Sequence, residues 1–387
     1  MRGFAVAILV GLVITLSGCL SATTSPPSTE ASRITAPQPT ESGPPTTSPP
    51  PATTLASGVA LPPCTPGEPK ATDTVTFVAS GHAWALSPTG DHLTCLFEVK
   101  DSGPFEWGPL GDRALLGGLE VKGVAGGPGR AATEQASTTI TWSRPTGKSI
   151  VYAPEGRASL AKVLVDGTPP QDVTPLSSST YLSVAYHPSG LAFAFAVARG
   201  DGESIWTSSN NGKSPKRLVF SNEGTRFGAL GFDVDGKHLL YAAQHADGHP
   251  ELHRIDVTDT KEAPVVWEGP VGWSVMGILP GLVTGTAAWT TGPTSCADHV
   301  AMARTADGTV RALGGTGSPT TAVGWLGPTR LLVATGGCGD ARDLSVLDVS
   351  DGSVTPLVSG VSAAAVRTPV PTPPAPLPTS VEGSGFS

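Results

Sequence analysis

The sequence predicts an all-β fold: a β-propeller of seven blades, each of four antiparallel strands, closed by N- and C-terminal strands in one blade. Three observations lead there. Helical periodicity is absent along the chain. One phrase recurs six times: a bulky residue, then Pro or Asp, then Gly, then two or three apolar residues. Strand-like pieces at the two ends of the repeat region each lack partners of their own.

The copies of the phrase start at Trp107, Trp142, Tyr186, Phe232, Ile278 and Trp325, and their anchor glycines are Gly111, Gly147, Gly190, Gly236, Gly281 and Gly327. Successive glycines lie 36 to 46 residues apart, the period of a four-stranded propeller blade. The phrase has a physical meaning. An inner strand ends on a bulky side chain, a Pro-Gly or Asp-Gly turn reverses the chain, and buried aliphatics open the next strand. Tyr186 to Gly190 and Phe232 to Gly236 show it most clearly, while the copy at Ile278 lacks the preceding aromatic. Third strands recur as LHRIDV from Leu252, VAMARTADG from Val300 and LSVLDVSDG from Leu344.

Six copies give six blades. Closure decides the seventh. Thr74 to Val99 supplies three strand-like pieces without an inner strand, and Val361 to Thr368 is a lone piece after the last blade is complete. Joined, they make a blade that removes the open sheet edge. Six blades is the alternative count.

The ends of the chain have other compositions. Arg2 and the apolar run Phe4 to Leu16 match a signal peptide, too short to span a bilayer comfortably. Leu16-Ser17-Gly18-Cys19 follows directly and resembles the lipobox of bacterial lipoproteins. The resemblance implies cleavage before Cys19, diacylglyceryl on its sulfur and an acyl chain on its amine, which together anchor durably. Residues 1–18 are therefore assigned to the signal peptide. Residues 19–63 are assigned to the lipidated Cys and a disordered stalk rich in Pro, Thr and Ser, which would reach about 130 Å fully extended. The propeller domain is placed at 64–368 and a second Pro-rich tail at 369–387.

The folded part is sparsely charged. Charged residues make up 14% of the chain and the net charge is −8, with no basic cluster. Nucleic acid is thereby excluded as a partner, as is a polybasic grip on anionic lipid. Apart from Cys19 there are four cysteines, and an exported chain meets an oxidising compartment, so two disulfides are expected. Three connectivities are open. Cys64–Cys95 with Cys296–Cys338 is favoured, because Cys296 and Cys338 fall in equivalent loops of adjacent blades. No C-x₂-C pair suggests zinc.

The repeated phrase, over roughly residues 72 to 368, resembles that of TolB-like propellers, related in shape to WD-repeat blades. The resemblance implies a role beside cell-envelope complexes. It also keeps six blades in view, the form that TolB itself resembles.

Loops joining the second strand of a blade to the third share one face with the blade-to-blade crossings. His245, Asp247, His249, Asp298 and His299 fall there in neighbouring blades. Imidazoles and carboxylates are metal donors, yet in Gly-containing loops their ordinary state is solvated, and no metal or cofactor is expected. Arg199, Asp201, Glu203, Asp340 and Arg342 form a polar rim suited to a protein partner. Ser208 to Ser214 resembles an Asp-box, a structural hairpin rather than a catalytic one. No G-x-S-x-G, H-E-x-x-H or phosphate loop occurs. Glu155, Glu203 and Glu251, read as loop residues, are the carboxylates available for glycoside chemistry.

The reading is a monomeric, non-enzymatic protein-binding lipoprotein on the extracytoplasmic face of the membrane, docking an envelope protein. Its alternatives are a carbohydrate-active hydrolase or lyase of the envelope, and a small-ligand or metal sensor.

Overall fold

The computed structural model describes residues 53–367, apart from 101–104, 118–119, 125–129, 132–136, 155–157, 201, 222–223, 314–317 and 337–340. In chain order, β1 (Thr54–Leu55) precedes β2 (Val75–Ala79), β3 (His82–Leu86) and β4 (Leu93–Glu98) of blade 1. Blade 2 holds β5 (Glu106–Trp107), β6 (Arg113–Leu116), β7 (Glu120–Gly123) and β8 (Arg130–Ala131). Blade 3 holds β9 (Ser137–Trp142), β10 (Ser149–Pro154), β11 (Ala161–Leu164) and β12 (Gln171–Asp172). Blade 4 holds β13 (Thr180–Tyr186), β14 (Ala192–Arg199), β15 (Gly202–Ser209) and β16 (Lys216–Ser221). Blade 5 holds β17 (Arg226–Phe232), β18 (His238–Gln244), β19 (Pro250–Asp256) and β20 (Val265–Glu268). Blade 6 holds β21 (Ser274–Pro280), β22 (Ala287–Gly292), β23 (Val300–Arg304) and β24 (Val310–Leu313). Blade 7 holds β25 (Thr320–Trp325), β26 (Arg330–Thr335), β27 (Arg342–Asp348) and β28 (Val354–Val361), and β29 (Ala363–Val366) follows.

These strands form seven antiparallel sheets, so the fold is the seven-bladed propeller that the repeat predicts. β29 pairs with β2 as the innermost strand of blade 1, which makes that blade the stitched one. One boundary moves. β1 adds a fifth strand to blade 7 by pairing with β28, and the Thr53 hydroxyl donates to the Gly360 carbonyl at 2.8 Å. Ordered structure thus begins before residue 63, although a two-residue strand in Pro-rich surroundings carries no periodic signal.

The buried side chains form seven clusters, and each lies between two neighbouring blades. Middle strands are covered on both faces, so they read as continuous apolar runs instead of alternating ones. β14 is the clearest case. Phe193, Phe195 and Val197 pack on blade 3, while Ala194 and Ala196 admit the larger side chains of blade 5. Inner strands β13, β17, β21 and β25 each carry a register shift, the local bend that bulges supply.

The repeated turn interlocks the blades. Gly190 has φ +73°, and a Cβ there would lie 1.8 Å from the Arg144 carbonyl oxygen of blade 3, so only glycine fits. In the next turn His187 Nε2 donates to the Gly236 carbonyl at 2.8 Å. Further round, Asp233 accepts from Gly285 N at 2.9 Å and from the Arg254 guanidinium at 3.0 Å.

Cys64 and Cys95 are joined, with Cα atoms 5.4 Å apart. Cys338 and the side chain of Cys296 lie outside the described residues, as does Cys19.

Candidate functional site

Within a blade, strand direction alternates from the axis outward, so second-to-third turns and blade-to-blade crossings emerge on one face. Hydrogen bonds tie the two kinds of loop together: Gly272 N donates to Gly248 O, Thr320 N to His299 O, and Gly336 N to Pro319 O. Arg199 ends β14 on this face and is exposed. Asp247 and Asp298 are exposed there too. Val271, 59% exposed in the crossing that follows blade 5, and Met276, 42% exposed on β21, add apolar surface. Asp201 and Asp340 lie outside the described residues.

Arg342 opens β27 and lines a cavity of about 260 Å³ at the seam of blades 7 and 1, together with Thr321, Val323, Val361 and Ala363. Its guanidinium is the cavity's charged group.

One expectation changes at this face. Glu203 and Glu251 are strand residues, in β15 and β19, rather than loop residues, and Glu155 lies outside the described residues. The Glu203 carboxylate accepts from Phe227 N at 2.5 Å. Its charge is therefore engaged at the start of β17, where it satisfies an inner-strand donor. The histidines also divide into separate local sets. His249 pairs with Asp247 at 3.0 Å, and His299 Nε2 meets the Pro293 carbonyl at 3.2 Å. His245 turns instead to Glu251, at 2.8 Å.

Glu251 is shared. Its Oε2 lies 2.8 Å from His245 Nε2 and 2.7 Å from His253 Nε2. Burial opposes its ionisation, but the bonds and charges of His245 and His253 hold the carboxyl below its ordinary value. Neither Glu251 as a histidine partner nor His253 was singled out by sequence. The signal available was Glu-x-His within a third strand, which puts both side chains on one sheet face.

A second group, Asp233, Asp235 and His238, lies on the opposite face. There Arg254 already sits 3.0 Å from Asp233 and 3.9 Å from Asp235, so the carboxylates have a cation of their own. The Asp-box-like turn is on that face as well. Ser208 and Ser209 hydroxyls donate to the Lys213 carbonyl, and Lys213 N donates to Asn211 Oδ1, which leaves the motif structural.

Among the described residues of the seven innermost strands, Glu106 is the one carboxylate. Solvent reaches it, yet the surrounding protein pushes its carboxyl up to about 7, with Arg144 opposing.

No protein-family model and no curated protein matches the chain. Solved structures do. A prolyl endopeptidase structure is similar with a TM-score of 0.52 and 12% identity over 76% of this chain; the chain spans 50% of that protein's length. An oligogalacturonate lyase in complex with manganese gives 0.50 at 11% identity, over 72% of this chain and 82% of the lyase. TolB from Acinetobacter baumannii gives 0.46 at 14% identity, over 77% of this chain and 67% of that one. Likeness at this level concerns the propeller fold alone, and it spans proteins of different activities.

Proposed function

We propose that this chain is an extracytoplasmic lipoprotein, held to the membrane through lipid on Cys19, whose propeller is a docking platform for a protein partner at the cell envelope. The observation that carries the reading is the composition of the loop face. There Arg199, Asp247, Asp298 and Arg342, drawn from blades 4 to 7, share the loop side of the ring with exposed Val271 and Met276. Protein interfaces combine apolar and charged or polar groups of this kind. The Cys64–Cys95 disulfide supports export to an oxidising compartment. The segment from Cys19 up to the strap at β1 and the tail at 369–387 belong to the same proposal, as tether and unstructured end.

Photo-crosslinking in the native cell tests the docking. Probes placed at Asp247 and Asp298 on the loop face are expected to capture one discrete protein, and a probe at Asp351 on the opposite face none. Capture from neither face, or equally from both, would sink the docking proposal. The same cells report the anchor: Cys19→Ser should move the chain from the membrane fraction to the soluble one.

A further inference from the structure

We propose that His245, Glu251 and His253 form a divalent-cation site on blade 5, independent of any protein docked on the loop face. The three offer two imidazole nitrogens and a carboxylate oxygen, all within 4.8 Å of one another. β19 places Glu251 and His253 two residues apart on one face, about 6.6 Å along the strand, and their side chains lean together. His245 enters from the turn before β19. That turn is fixed by bonds from His245 N to His249 O at 2.9 Å and from Gly248 N to His245 O at 3.0 Å.

The hydrogen-bond arithmetic at His253 points to a cation. Its Nδ1 lies 3.0 Å from the Ala263 carbonyl. A carbonyl only accepts, so Nδ1 carries the proton and Nε2 of the neutral ring is a bare lone pair. That lone pair faces the Glu251 carboxylate at 2.7 Å, one acceptor against another. A cation shared between them, whether a proton or a metal ion, satisfies both acceptors. His245 can shift its own proton to Nδ1 and present Nε2 as well.

The surroundings favour the ion. Tyr241 stacks on His253 with centroids 4.8 Å apart and planes 3° from parallel, so the ring is held in place. With the Ala263 bond this is the outer support that orients metal-binding histidines. Glu268 stands directly across the ladder from Glu251 and adds a second negative charge on the same face. Solvent reaches the group through His245, whose side chain is 38% exposed. Two histidines and one glutamate with an open position are a zinc-type donor set. Donors on one tetrahedral ion lie about 3.4 Å apart, so the two spacings from the Glu251 oxygen, 2.8 and 2.7 Å, need to open by about 0.6–0.7 Å.

The test is calorimetric titration of the purified full chain, first stripped with EDTA, with zinc chloride alone. One ion per chain is expected. Glu251→Gln and His253→Gln should weaken binding by more than the roughly 10–100-fold that changes beyond the ligands cost. His249→Asn, which leaves the three donors in place, should not change it. Cobalt in place of zinc should give visible d–d bands that Glu251→Gln abolishes. Should Glu251→Gln fail to fold, the more exposed His245→Asn serves instead, with the same expected loss. Absence of saturable zinc binding, or binding that these substitutions leave intact, would overturn the site and leave the group a proton-held ion pair.

Discussion

His187 shows how one residue of the repeated turn links two blades. It is 2% exposed, and its ring meets Phe232 edge-to-face at 5.0 Å. Nε2 donates to the Gly236 carbonyl, while Nδ1 accepts from Ser189 N at 3.1 Å, so the ring is bound in its neutral form. Burial pushes the imidazole below its ordinary 6.5, against the Gly236 bond and the charge of Asp235. The sign of the pH dependence follows. As pH falls through 6.5 the unfolded chain takes up a proton that the folded chain resists, so the stabilisation is complete above 6.5 and lost progressively below it. His187→Gln keeps a neutral donor. The variant should lose about 1–2 kcal/mol at pH 8 from the imperfect bond, yet lose less on going from pH 7 to pH 5. Urea midpoints across that range check it, and an unchanged pH slope would refute the assignment.

At the scale of the element, β14 shows both what the sequence discloses and what it hides. The run AFAFAVA is apolar throughout, and such a run is legible as a strand buried on both faces. Which face each residue takes follows from alternation alone: Phe195 lies toward blade 3, 5.5 Å from Tyr181 and 5.8 Å from Phe193. Phe195→Ala should cost about 3–5 kcal/mol, because the void has rigid walls. Leu191→Ala, at a position 58% exposed in the adjoining turn, should stay within about 0.5 kcal/mol. Chemical denaturation of the two variants separates a two-sided core strand from a strand with one wet face. The anchor glycines were legible for the same kind of reason, since a tight turn with positive φ demands them. Blades 6 and 7 depart: neither Gly281 nor Gly327 has a positive φ, and in blade 6 that conformation is taken by Gly285. The group around Glu251 was not legible as a unit. His253 takes its position from Tyr241 on β18 and from Ala263 in the turn beyond β19, and no spacing in a single strand encodes partners on three segments.

For the whole molecule the decisive feature is the seam between blades 7 and 1, where the two ends of the domain meet. Three connections cross it or lie beside it. β29 closes blade 1 from inside, β1 extends blade 7 from outside, and the chain after β1 runs to blade 1, where the Cys64–Cys95 disulfide fixes it. On the loop-entropy estimate that bond contributes about 3–4 kcal/mol. At the centre of blade 1, Trp107 Nε1 donates to Thr76 Oγ1 at 2.7 Å, and the Thr76 hydroxyl donates to Ala365 O at 2.7 Å. This chain of bonds runs from blade 2 through β2 to β29. Arg367 continues the closure, its Nε donating to Gly111 O at 2.6 Å.

The sequence revealed the stitched blade because both of its parts lacked partners, but it gave no sign of the β1 strap, whose two residues are too few to repeat. The closure can be separated from the tail by truncation. A chain ending at Thr368 keeps every bond just named, and its melting temperature should match that of the intact protein. A chain ending at Ser362 loses β29, leaves the Thr76 hydroxyl without its buried acceptor Ala365 O, and exposes β2 as an open edge. Unpartnered buried polar groups and a free strand edge each act against the folded monomer. Calorimetry with light scattering should therefore show a lower, less cooperative transition and association of chains for the shorter variant only. Equal behaviour of the two truncations would mean that the ring holds without its inner closing strand, and that the strap and the disulfide carry the closure alone.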